Sequence, residues 1–197
     1  MTADIEGGYG ETPDQVARNV ADIIRAGAVG INLEDGTHAQ TPIRRIEDAV
    51  ARIRAAREAA TEEGVPLVIN ARIDLYLKHI GDDETRFAET VQRSKAYLAA
   101  GADCIFPFGL TDLKVIADLV TALKAPINVV GRAGMPDVSQ LQRLGVARVS
   151  TASGPSLVAM SVTRQIAEEL RAKGQFNALE SSMKRADAQQ LFAVRAG

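Results

Sequence analysis

The chain has 197 residues, 46% hydrophobic and 24% charged, a globular balance that excludes a disordered or low-complexity protein. Its 23 basic and 25 acidic residues give a net charge of −2 with no basic stretch, which argues against a nucleic-acid or anionic-membrane footprint. A single cysteine, Cys104, rules out an intramolecular disulfide framework and a thiolate zinc site, and no apolar run approaches the roughly 18 residues that would span a bilayer.

The first residues lack a basic region followed by an apolar one, so a cytoplasmic location is expected. Residues 2–6 (TADIE) read as a strand running into the glycine-rich turn GGYG. Thr12-Pro13 marks a helix start, and Val16, Val20, Ile23 and Ile24 follow at helical spacing up to Gly27. The apolar run 28–34 is a buried-strand pattern, and an Ala/Arg/Glu helix spans about 43–62. The alternation then continues with strand 66–72, helix 84–100, strand 102–108, helix 112–123, strand 126–130, helix 136–144, strand 147–151 and helix 155–172. Six strand–helix units in succession predict a parallel sheet with helical crossovers. The predicted domain is residues 1–174, and 175–197 read as a tail with an amphipathic segment suited to contact between subunits.

A barrel and a doubly wound sheet both fit this alternation. No GxGxxG follows the first strand and no GxxxxGK[ST] occurs, which disfavours the nucleotide-binding sheets. Period-two alternation puts Gly30, Asn32 and Glu34 on one face of the second strand and Val68, Asn70 and Arg72 on the same face of the third. Val29, Ile31, Leu33, Leu67, Ile69 and Ala71 take the opposite face. A polar face opposite an aliphatic one suits a barrel strand between lumen and helices, so a TIM-barrel-like (β/α) barrel with six of the usual eight units is expected.

Parallel barrels carry their chemistry at the C-terminal ends of the strands. Asp4 and Glu6 lie two residues apart at such an end and are expected to point the same way, with Glu34 at the equivalent level of the next strand. Three carboxylates at one rim need a cation to coexist, and all-oxygen ligation without histidine or thiol suggests Mg²⁺ or Mn²⁺. A solvated set of strand-end carboxylates is the competing explanation. Arg72, followed by Asp74, would meet a substrate carboxylate or a developing oxyanion, or else close an ion pair at the rim. Glu34 and Arg72 are the candidate catalytic residues; Tyr9, Asn70 and Asn128 are the candidate substrate-binding residues.

The remaining motifs carry less. GRAGMP (131–136) and TASGP (151–155) follow the last two strands, where some barrels bind phosphate, though they also read as ordinary turns. His38 and His79 are expected at the surface and Cys104 as an inert core thiol. No lysine ends a strand and no GxSxG occurs, against a Schiff-base aldolase and an α/β-hydrolase.

ADIEGGYG (3–10), AGAVGINLEDG (26–36), PLVINARID (66–74), YLAAGADCIFPFG (97–109) and the segment 125–155 resemble the isocitrate lyase/phosphoenolpyruvate mutase superfamily, in its phosphonomutase/2-methylisocitrate lyase-like branch. The resemblance implies a modified (β/α)₈ barrel that binds Mg²⁺ and stabilises an enolate while a C–C or P–C bond is cleaved or rearranged. It further implies that Asp4 touches the metal, that Glu6 and Glu34 hold metal-bound waters, and that Arg72 contacts the substrate. Exchange of a C-terminal helix between subunits is common in the family, which implies a homo-oligomer.

Two departures qualify it. Met1-Thr2 lines up with the family's third strand, so the first two units are missing from the pattern. The loop DGTHAQTP (35–42) lacks the cysteine or lysine found there in family members, which argues against isocitrate-type cleavage and leaves decarboxylation or another C–C or P–C cleavage. The expected function is an Mg²⁺-dependent lyase or mutase acting on a small α-keto acid or phosphonopyruvate-like substrate. The alternatives are an inactive remnant serving as an oligomeric module and a phosphate-binding barrel enzyme using 131–134 and 151–155.

Overall fold

A computed structural model describes residues 1–37, 42–180 and 182–193. Among the described residues six strands alternate with helices: β1 Thr2–Asp4, α1 Pro13–Arg25, β2 Gly30–Glu34, α2 Ile46–Glu62, β3 Val68–Ile73, α3 Asp83–Ala99, β4 Cys104–Pro107, α4 Leu113–Leu123, β5 Asn128–Val130, α5 Val138–Arg143 and β6 Arg148–Ser150. Neighbours in sequence are neighbours in space. β1, β2, β3 and β4 pair in parallel in that order, β4 meets β5 through a parallel Ile105–Ile127 bridge, and β5 pairs in parallel with β6. A doubly wound sheet reverses its strand order at a switch point; this one never reverses, as a barrel wall requires.

The helices start where the sequence offers caps. Thr12 and Gln15 form a capping box at α1, with Pro13 in its first turn. Asp82, Asp112 and Asp137 accept backbone N–H groups at α3, α4 and α5. α1 buries Val16, Val20 and Ile24 at a spacing of four, one inward stripe. α2 buries mainly alanines, whose small side chains admit close packing.

The apolar core lies outside the sheet, between strands and helices. Ile31, Leu33, Ile69, Ala71 and Ile105 pack there with residues of α1, α2 and α3, while Ile127 and Val129 pack with Ile116, Leu119 and Leu141. The opposite face carries Asn32, Glu34, Asn70, Arg72 and Asn128, so the alternation in the sequence is realised on β2, β3 and β5.

These elements form one compact unit, Met1–Ser150; a second spans Thr151–Gly197. In the second, α6 (Gly154–Lys173) ends at Gly174, whose φ of +61° is the left-handed conformation in which glycine terminates helices. A 3₁₀ turn at Asn177–Leu179 and α7 (Arg185–Leu191) follow.

Candidate active site

The site is built from the ends of β1, β2 and β3 and the loops that leave them. Asp4 is the last residue of β1 and lies opposite Asn32, which lies opposite Asn70. Asp4 Oδ1 accepts the Glu6 backbone N–H at 3.1 Å, and Oδ2 accepts from Asn32 Nδ2 at 3.3 Å.

Glu6 does not continue the strand. Its φ of +49° turns the chain out of β1 before the glycines are reached, so the expected alternation of Asp4 and Glu6 on one strand face is corrected: Glu6 belongs to the turn. It stays level with the second carboxylate, because the Glu34 N–H donates to the Glu6 carbonyl at 2.9 Å.

The turn is clamped from below. Arg52, buried on α2, donates to the carbonyls of Gly7 (2.8 Å), Gly10 (2.8 Å) and Glu11 (2.7 Å), and Asn19 Nδ2 donates to those of Gly8 and Tyr9. Gly8 has φ +93°, and a Cβ there would stand 2.8 Å from the Val16 methyls, so this position needs glycine on both counts. Tyr9 is solvent-exposed and its hydroxyl lies 3.4 Å from the Asp4 carbonyl. Desolvation, then the charges of Glu6, Asp4 and Glu34, raises the phenol pKa and keeps it protonated.

Glu34 and Arg72 are register partners on β2 and β3, and Arg72 Nη1 meets Glu34 Oε2 at 2.8 Å. The other edge of the guanidinium is gripped by Asp74, with Nε–Oδ1 at 2.7 Å and Nη2–Oδ2 at 3.2 Å. Phe108 supplies a floor, its ring centroid 4.0 Å from Arg72 Cζ, and Phe106 packs edge-on against Phe108. Desolvation raises the Glu34 pKa; Arg72 opposes this, and Asp74, Asp4 and Glu6 reinforce it. The carboxylates predicted from sequence therefore share one electrostatic neighbourhood.

Whether that neighbourhood suits a divalent cation depends on its donors. They are all hard oxygens. Among the described residues no three histidine, cysteine or acidic side chains cluster tightly enough to hold a metal by themselves. Glu34 is also engaged by Arg72. The set fits a cation that keeps most of its water and takes few direct protein ligands, as Mg²⁺ does, and does not fit a caged ion.

Asn70 and Asn128 are fully buried on the lumen face. Asn70 Nδ2 donates to Asn32 Oδ1 at 2.7 Å and Asn128 Nδ2 to Ser150 Oγ at 3.2 Å, while both Oδ1 atoms have no hydrogen-bond partner among the described residues. Two buried acceptors thus remain available to a ligand. His79 is exposed and Cys104 buried, its thiol pushed up to about 11 by burial, in line with an inert core residue. His38 lies outside the described residues.

Sequence reasoning missed a buried hub beneath the rim. Asp35 Oδ1 accepts the Asp74 N–H at 3.0 Å; its Oδ2 accepts the Tyr97 hydroxyl at 2.7 Å and Arg93 Nη1 at 3.3 Å. Arg93 also donates to the Arg44 carbonyl, tying the residues after β2 to α3. A signal existed: period two places Asp35 on the apolar face, where a charge demands a partner, and Arg93 and Tyr97 share a helical face four residues apart. Arg44 was missed too; with Glu6, Tyr9, Glu34 and Thr37 it lines a cleft of about 190 Å³ between the β1 and β2 loops.

Known proteins resemble the chain over most of its length. Residues 1–171 match the family model described as phosphoenolpyruvate phosphomutase. The chain is 35% identical to 2-methylisocitrate lyase of Escherichia coli K12, covering 64% of this chain and 43% of that protein. It is 30% identical to oxaloacetate decarboxylase of Ectopseudomonas mendocina, covering 87% and 58%. A crystal structure of a protein described as a lyase/mutase from Burkholderia cenocepacia J2315 superposes with a TM-score of 0.89 at 35% identity, covering 98% and 69%. The chain spans about half the length of the curated relatives it matches.

Proposed function

The chain belongs to the phosphoenolpyruvate phosphomutase family, and from that premise we propose that it is an Mg²⁺- or Mn²⁺-dependent lyase or mutase that stabilises the enolate of a small α-keto acid or phosphonopyruvate-like substrate. The observation that carries this reading is the rim itself: Glu6 and Glu34 line one cleft, the Asp4 carboxylate holds the Glu6 N–H, and Arg72 is fixed beside Glu34 by two carboxylates and an aromatic floor. The cation, when bound, would act as a Lewis acid on the oxygen where enolate charge develops.

The protein's own groups do the rest. Asp4 is the residue we assign to the metal, and Glu6 and Glu34 would hold water around it. Arg72 gives one N–H each of Nε, Nη1 and Nη2 to its two carboxylates and rests one face on Phe108, so the second in-plane N–H groups of Nη1 and Nη2 are the donors for an anionic group of the substrate. Tyr9, protonated at neutral pH and beside the carboxylates, can donate a hydrogen bond or a proton there. Asn70 and Asn128 offer buried carbonyl oxygens to a hydroxyl or water on the ligand.

Residues 35–42 contain neither thiol nor lysine, which supports a decarboxylation or a C–C or P–C cleavage needing no strong acid from that loop. The oxaloacetate decarboxylase relative supports a small keto-dicarboxylate substrate. The test is turnover of oxaloacetate and phosphonopyruvate with and without Mg²⁺. Metal-dependent turnover lost in Asp4→Ala is expected. Inertness toward both, with no Mg²⁺ binding in calorimetry, would refute the reading and favour a non-catalytic oligomeric module.

A further inference from the structure

Asp4 does not hold its orientation alone. Its Oδ2 is met by Asn32 Nδ2, and Asn32 Oδ1 is itself met from two sides: by Asn70 Nδ2 at 2.7 Å and by Arg148 Nη1 at 3.4 Å. Asp4, Asn32 and Asn70 stand opposite one another on β1, β2 and β3, so the relay runs straight across the sheet. Arg148 reaches it from β6 at the far end of the strand series.

A terminal amide can flip end for end at little intrinsic cost. Here it cannot, because flipping would aim the Asn32 NH₂ at two donors and its oxygen at a carboxylate. The two donors lock the amide in the one sense that presents N–H to Asp4. Asn70 is 1% exposed and commits its NH₂ to this bond. Matched donors and acceptors around a buried amide make the network rigid.

We propose that Asn32, locked by Asn70 and Arg148, is the positioning residue that sets the direction of the Asp4 carboxylate and thereby the affinity of the site for a divalent cation. The inference rests on the reading of Asp4 as the metal carboxylate. Asn32 touches neither the metal nor the substrate in this account, and Asn70 enters the relay only through its NH₂. Partners that orient a ligating carboxylate typically change metal affinity by about 10–100-fold when removed.

Calorimetric titration of the full chain with Mn²⁺ tests it without reference to turnover. Asn32→Leu is expected to weaken Mn²⁺ binding by about 10–100-fold, and Asn70→Ala and Arg148→Met by less. In the Asn32→Leu background the latter two should add nothing further, a non-additivity that general loosening of the fold would not produce. Arg148 is only half-buried, so Arg148→Met carries the test should Asn32→Leu fail to fold. If Asn32→Leu and Arg148→Met bind Mn²⁺ like the wild type while Asp4→Ala does not bind, the relay is overturned and the metal reading survives. If the wild type does not bind, or Asp4→Ala binds as well as it does, the metal reading falls and the relay with it. Losses that simply add between Asn32 and Arg148 would also overturn the relay.

Discussion

At the scale of single residues the rim depends on Arg72, whose side chain is 15% exposed and whose partners Glu34 and Asp74 are 10% and 2% exposed. Removing one member of such a buried set leaves the others uncompensated, a loss of about 3–5 kcal/mol. Arg72→Met should therefore lower the unfolding free energy by about 3 kcal/mol in urea titration. Arg72→Lys should lose less stability but still forfeit activity, because an ammonium cannot serve two carboxylates and a ring face at once. Equal stability of Arg72→Met and wild type would show that the clamp contributes nothing to the fold.

Asp35 gives a pH signature. Its pKa is pushed up from 3.8 to about 6, first by burial, against the Tyr97 hydroxyl, the Asp74 N–H and the Arg93 charge, which pull it down. A folded-state value above the unfolded one means the folded chain binds this proton more tightly. The contribution is therefore complete below about pH 3.8 and lost as pH rises through 6. In chelator, wild type should lose stability relative to Asp35→Asn across that window; a constant difference from pH 4 to 7 would contradict the assignment.

That Asp4, Glu34 and Arg72 stand at or near strand ends was legible in the sequence, because strand limits follow local patterns. The Asp35–Arg93–Tyr97 hub was not, because it needs α3 docked against β2, and those residues lie 58 and 62 positions from Asp35.

At the scale of elements, the loop after β1 shows how a helix side chain can organise a turn. Arg52 interrupts an alanine-rich stripe on α2, and its guanidinium satisfies three carbonyls that the turn cannot pair by itself. Arg52→Ala should cost about 2–4 kcal/mol, the penalty for several buried acceptors left without donors, and should speed amide exchange across residues 7–11. Unchanged exchange there would mean the glycine turn holds its shape unaided.

The start of α1 was the easiest to read, since Thr12 before Pro13 announces itself; the caps Asp112 and Asp137 belong to helices placed only by approximate range. The end of β1 was harder. Glu6 looks like a strand residue by alternation, and its left-handed backbone costs a non-glycine residue about 1–2 kcal/mol. The Asp4 carboxylate, the Glu34 N–H and the Arg52 clamp on the next residue offset that strain, and all but the first come from distant parts of the chain.

At the scale of the molecule, six parallel staves in unbroken order follow from six strand–helix units, and that much the pattern of apolar runs conveyed. What it conveyed less well is the role of residues 151–197. On α6, Val158, Val162, Ile166 and Leu170 repeat every four residues, with Leu157 flanking them. Repetition at four is the ridge by which helices interdigitate, yet no α6 residue is buried and Leu157, Val158, Met160, Val162 and Leu170 are 44–66% exposed. An apolar ridge of about three and a half turns would suit a contact surface. The partner we assign is a second copy of the chain, consistent with the homo-oligomer implied by the family resemblance. Sedimentation equilibrium should then give a multiple of 21.0 kDa. Val158→Glu with Val162→Glu should shift the mass toward one chain, because each added carboxylate would have to be desolvated in the contact. These positions lie far in sequence from Asp4, Arg72 and Asn32, so Mn²⁺ affinity of the double variant separates loss of assembly from loss of the site. A wild-type mass of one chain at every concentration would rule the contact out and leave the ridge unexplained.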